Sequence, residues 1–100
     1  MDFLEKLFQQ GFTLRSFSVY PRHLGVEKYN CAALLELTPK GRWKQFSSAG
    51  YLLDSQIALL VEREGKPTFV YKSKQVPGNE KVMKDFQRFL EELGAALEQQ

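Results

Sequence analysis

The chain has 100 residues, 14 Lys plus Arg against 12 Asp plus Glu, a net charge of +2, and 43% hydrophobic and 26% charged positions. That describes one globular domain spanning 1–100, and charges of both signs scattered along it offer no field to recruit phosphate backbones or anionic lipid. The single cysteine, Cys31, excludes an intrachain disulfide and argues against an oxidised secreted scaffold.

MDFLEKLFQQGF carries Asp2 and Glu5 and no uninterrupted apolar run, so neither a signal peptide nor a membrane span is expected and the cytoplasm is the default location. Phe3, Leu4, Leu7 and Phe8 fall at helical spacing, with Asp2 placed to cap and Gly11 to stop the turn. The spacing predicts a helix of about two turns that needs a surface to dock on. FTLRSFSVYP, ended by Pro21, reads as a strand, and its change of apolar parity between Leu14 and Phe17 predicts a bulge near Arg15 and Ser16 or partial cover of both faces.

RHLGVEK reads as a loop holding His23. YNCAALLELT reads as a second strand that meets a third across PKG, in a three-residue hairpin pairing Thr38 with Arg42, Glu36 with Lys44 and Leu37 with Trp43. The fourth strand, QIALLVERE, has five apolar residues in a row from Ile57 to Val61 and is expected to be covered on both faces. PTFVYKSK follows across a tight hairpin at Glu64 to Lys66 whose register stays open, and Lys72 and Lys74 suit an edge strand.

Asn79 is a favourable N-cap for the clearest element, in which Val82, Phe86, Phe89, Leu90, Leu93 and Leu97 form one apolar stripe. Lys81 with Asp85, Glu80 with Lys84 and Arg88 with Glu92 pair on its outer face, and Gly94 is expected to loosen its last turn. The expected fold is α+β: an antiparallel sheet of about five strands, mostly a meander, between a short N-terminal helix and a long amphipathic C-terminal helix.

RWKQFSSAGYLLD lacks bulk in its middle, where a core strand normally carries branched residues. Carrying the hairpin register inward sets Ala33 opposite Ser47, Cys31 opposite Ala49 and Asn30 opposite Gly50. One face then has a low floor of Cys31, Ala33, Ser47 and Ala49 fenced by Tyr29, Tyr51, Leu37 and Trp43; the other has Asn30, Ala32, Ser48 and Gly50 between Leu34 and Phe46. One floor seats the C-terminal helix, and the sequence does not say which.

The Tyr29 and Trp43 face is the expected site, with Tyr29, Cys31, Ala33, Trp43, Ser47 and Tyr51 as its interface or ligand-binding residues. No catalytic residue, metal or cofactor is assigned. His23 and Cys31 lack zinc spacing, and a cysteine beside Ala32 and Ala33 in an interior strand is usually an inert apolar residue, not a nucleophile. The glycines are too far apart to cradle phosphate, FSSAG lacks the first glycine of a nucleophile elbow, and Glu62 and Glu64 sit at a solvated hairpin end. Tyr71, Lys72 and Lys74 sit together as aromatics and basic residues do in sheets that stack nucleic-acid bases, but the element order and near-neutral charge argue against it. The expectation is a non-enzymatic cytoplasmic module that forms a homodimer or binds another protein through one sheet face. The alternative is a carrier or sensor of a small apolar or aromatic ligand on the same face.

Overall fold

In the computed structural model, which describes residues 2–100, both helices begin at their expected caps. The Asp2 side chain accepts from the Glu5 N–H, and the Asn79 side chain from the Val82 N–H, each at 2.9 Å. Helix α1 spans Phe3–Gln9 and α2 Glu80–Glu98. Between them lie β1 (Thr13–Phe17), β2 (Tyr20–Lys28), β3 (Cys31–Leu37), β4 (Trp43–Gln45), β5 (Gly50–Leu53), β6 (Gln56–Arg63), β7 (Lys66–Tyr71) and β8 (Lys74–Pro77). The class is α+β, and the strands form an antiparallel meander in the order β1-β2-β3-β5-β6-β7-β8, with β4 paired to β3 alone.

The strands outnumber the expected five because turns fall where the sequence carries weak turn signals. FTLRSFSVYP turns at Ser18 and Val19, PTFVYKSK turns at Lys72 and Ser73, and RHLGVEK is not a loop but most of β2. Three two-residue hairpins have both central residues in the left-handed region: Tyr29 and Asn30 (φ 57 and 59), Asp54 and Ser55 (50 and 62), and Glu64 and Gly65 (53 and 75). These mirror-image turns match strand twist, yet only the last contains glycine. The expected irregularity near Ser16 is present, since pairing with β2 shifts between Arg15 and Phe17. Gly25 permits it, for a Cβ there would lie 2.7 Å from the Arg15 carbonyl oxygen and inside the Phe17 ring.

The PKG hairpin has the expected register: the Thr38 N–H donates to the Arg42 carbonyl at 2.7 Å, Gly41 is left-handed at φ 80, and Lys44 reaches Glu36 at 3.2 Å. Its inward extension does not hold. After Phe46, whose N–H still donates to the Leu34 carbonyl at 2.8 Å, the chain leaves the sheet and returns two residues out of step. Ala32 therefore opposes Gly50, and Cys31 opposes Tyr51 instead of Ala49. A slip of two keeps the side chains of β5 on their expected faces. The small residues of SSAG are the exit and re-entry of a broken strand.

Both helices lie on the same side of the sheet. Ala33, Leu35, Ala58 and Phe69 meet Phe86, Phe89 and Leu93 of α2 there, and Leu7 of α1 joins the same core. Phe86 packs edge-on against Phe69 at 5.1 Å, and Phe89 against Phe12 at 6.0 Å. Among the described residues, the other side holds a smaller cluster, Phe17, Ala32, Leu34 and Leu52, flanked by Phe46 and Ile57.

The apolar run of β6 is not covered as expected. Only Ala58 is buried; Leu59, Leu60 and Val61 are 47%, 39% and 40% exposed. The reason is a fork in the sheet. Gln56 to Ala58 pair with β5, whereas Leu59 to Arg63 pair with β7. Beyond the fork every residue from Leu59 to Pro67 is exposed, and the molecule measures 44 × 26 × 19 Å.

Candidate functional site

The structure divides the six expected site residues between the two sides of the sheet. Cys31 and Ala33 are completely buried on the side that carries the helices. The Trp43 side chain packs against the same core, and its backbone N–H and C=O are both held by the Gln100 side-chain amide, at 2.5 and 2.6 Å. Tyr51 lies against the Phe69 ring with centroids 5.5 Å apart. The aromatic fence thus surrounds the seat of α2. Ser47, by contrast, is exposed in the loop between β4 and β5 and lines a depression on the opposite side.

Tyr29 pins its hairpin to α2. Its hydroxyl donates to Glu92 at 2.8 Å and accepts from Arg88 at 2.9 Å, while the Arg88 guanidinium lies 4.5 Å from its ring centroid. Lys28 donates to both Glu92 and the Gln10 carbonyl at 2.5 Å, which joins the end of α1 to the same point. A tyrosine with φ 57 is strained by about 1 kcal/mol, and these contacts hold it there.

The Lys28 hydrogen bond, followed by that of Tyr29, lowers the Glu92 carboxyl below its ordinary value of 4.5, against the opposing effect of burial. A folded-state value below the unfolded one stabilises the fold above the unfolded value, and that gain is lost as pH falls through the folded value. Stability should therefore decline below about pH 4.5, and Glu92→Gln should flatten that part of the profile. Urea titrations of both proteins between pH 3 and 6 check this; an unchanged acid limb in the variant would refute it.

The Cys31 thiol is pushed up to about 12, first by burial and then by the Asp85 carboxylate. It is protonated at neutral pH and is no nucleophile in that state. His23 cannot act as its base. It lies on β2 on the opposite side of the sheet, stacked on Phe46 with centroids 3.8 Å apart, its Nε2 3.7 Å from Glu36 and its buried Nδ1 without a partner. Among the described residues, no three His, Cys, Asp or Glu side chains cluster as metal ligands, and no helix is long and apolar enough to cross a membrane.

What sequence reasoning missed is the side of the sheet away from the helices. Val19 and Tyr20, 54% and 40% exposed, lie beside Phe17 and Leu34; Ile57, Leu59 and Val70 continue the apolar surface toward β7. A depression of about 410 Å³ lies among them, with Ser47, Ser48, Gln56 and Lys72 also in its wall. The signal for it was the alternation of Ile57, Leu59 and Val61 on one face of β6. Comparison with protein-family models, curated proteins and solved structures finds no match for the chain.

Proposed function

We propose that the domain is a non-enzymatic protein-binding module that self-associates through the helix-free side of its sheet and the projecting β6–β7 arm. The observation that carries this reading is the exposure of Leu59, Leu60 and Val61, three successive apolar strand residues, of which Leu59 lines one depression with Val19 and Tyr20 on the helix-free side. Beyond Ala58 the β6 strand has β7 as its one strand neighbour, and an exposed apolar surface of this kind is the usual mark of an interaction site. A cytoplasmic setting agrees with the free, buried Cys31.

Sedimentation equilibrium tests it. The parent should be dimeric in the micromolar range and Leu59→Glu monomeric with unchanged helix content. Trp43→Glu should instead lower stability, since Trp43 packs beneath α2. A parent that stays monomeric at the highest concentration reached would overturn self-association.

The depression favours a second reading, a carrier or sensor of a small apolar molecule, with Phe17, Leu34 and Ile57 as walls and Ser47 and Ser48 as polar contacts. A native mass spectrum of gently purified protein that shows a monomer with added mass would select it over the first.

A further inference from the structure

We infer that a second copy of this chain adds to the inner edge of β6 as an antiparallel strand, in a single register centred on Val61; this rests on the self-association proposed above. The backbone of β6 sets which groups face outward. Arg63 and Lys66 flank a two-residue turn and form its hydrogen-bonded pair. Alternation then directs the N–H and C=O of Leu59, Val61 and Arg63 toward β7, and those of Leu60 and Glu62 away from it.

On that far side β5 reaches only as far as Ala58. The neighbouring strand, β4, pairs with β3 alone, and the outward groups of Trp43 are already taken by Gln100. Leu60 and Glu62 thus present two N–H and two C=O groups to an open edge. The other edges are guarded in the usual ways: β8 has Lys74 and Pro77, and β1 has its irregularity at Ser16. The inner edge of β6 carries neither proline, lysine nor bulge.

Edge addition also accounts for the exposed side chains. Leu60 pairs with Phe69, a residue of the helix-side core, so it faces that side, whereas Leu59 and Val61 face the other. An occupant laid on one face leaves the other in water, but a strand at the edge borders both.

A second copy suits this edge because its own pattern is self-complementary. With a two-fold axis at Val61, Leu60 meets Glu62 of the second copy and Glu62 meets its Leu60, so all the outward groups are bonded. Val61 lies on Val61, Leu59 lies beside the stem of Arg63, and no like charges are opposed. Shifting two residues one way sets Glu62 against Glu62. Shifting two the other way sets Glu62 against Ala58, whose groups already bond to β5.

Cysteine cross-linking tests the register. At a non-hydrogen-bonded antiparallel pair the Cα atoms lie about 4.5 Å apart, within disulfide range, so Val61→Cys should form a covalent dimer under mild oxidation while Cys31 stays buried and unreacted. Leu59→Cys, about 13 Å from its symmetry mate, should not. Glu62→Pro removes an outward N–H without touching the bonds to β7 and should weaken the dimer about tenfold or more.

A parent dimer that Leu59→Glu dissociates, but that neither cross-links through Val61→Cys nor weakens with Glu62→Pro, would overturn strand addition and leave face-to-face self-association standing. A parent monomer at every concentration would overturn both. Should Glu62→Pro fail to fold, the contrast between Val61→Cys and Leu59→Cys decides alone.

Discussion

Gly50→Ala is expected to cost about 3–5 kcal/mol, toward or beyond the upper end of what overpacking does elsewhere. A Cβ at Gly50 would sit inside the Ala58 carbonyl oxygen, 2.7 Å from Ile57 Cγ2 and 2.9 Å from the Ala58 carbonyl carbon. Two of those atoms are backbone. They belong to β6 where it pairs with β5, through Tyr51 with Ala58 and Leu52 with Ile57, so no side-chain rotation relieves the clash. The strands must separate just before the fork, and the ladder that carries Ala58 into the core opens with them. Gly94→Ala is the counterpart: it has no neighbour within 4 Å of the added methyl and should gain about 0.5–1 kcal/mol from helix propensity. Urea denaturation of both variants reads the difference. A Gly50→Ala protein within 1 kcal/mol of the parent would refute the close approach of β5 and β6.

Gly50 also shows why the sequence revealed one part of this fold and hid another. The helices were readable because capping and periodicity are local: Asp2, Asn79 and the stripe from Val82 to Leu97 need no knowledge of what they pack on. The PKG hairpin was readable for the same reason, since proline and glycine fix the turn and the turn fixes the register of Thr38 and Arg42. The slip between Gln45 and Gly50 is not local. SSAG fits an unbroken strand with a low floor as well as it fits a strand that leaves and returns, and what separates the two is Ala58, on another strand, against a missing Cβ. The turns at Tyr29 and Asp54 were hidden because a tyrosine in the left-handed region is held by Arg88 and Glu92, about 60 residues away in sequence. The placement of the expected site turns on the same logic. Its residues were grouped on the correct face, apart from Ser47, which the break carries to the other side; the choice of face belonged to α2, and no residue in the sheet announces which side a helix takes.

Phe89→Ala carries the second large effect, about 3–5 kcal/mol from lost burial and an unfilled cavity. Phe89 is fully buried at the middle of the α2 stripe and stands edge-on to Phe12 at 6.0 Å. Phe12 is itself buried and stands in the chain between α1 and β1, so its contact with Phe89 ties α2 to the junction of α1 and the sheet. Helix α1 has only seven residues and no independent stability. Removing Phe89 should therefore loosen α1 and the Lys28 contact to the Gln10 carbonyl along with the core. Against a total stability of about 5–15 kcal/mol for a domain of ordinary size, the variant should be close to unfolding at 37 °C. Leu90→Ala, one residue along on the exposed edge of the stripe, should stay within about 1 kcal/mol of the parent. Denaturant titration with amide exchange on α1 checks both parts. Equal costs for the two variants would mean that α2 does not face the sheet through Phe89, whereas a large loss with early exchange in α1 would establish that the two helices are held as one layer.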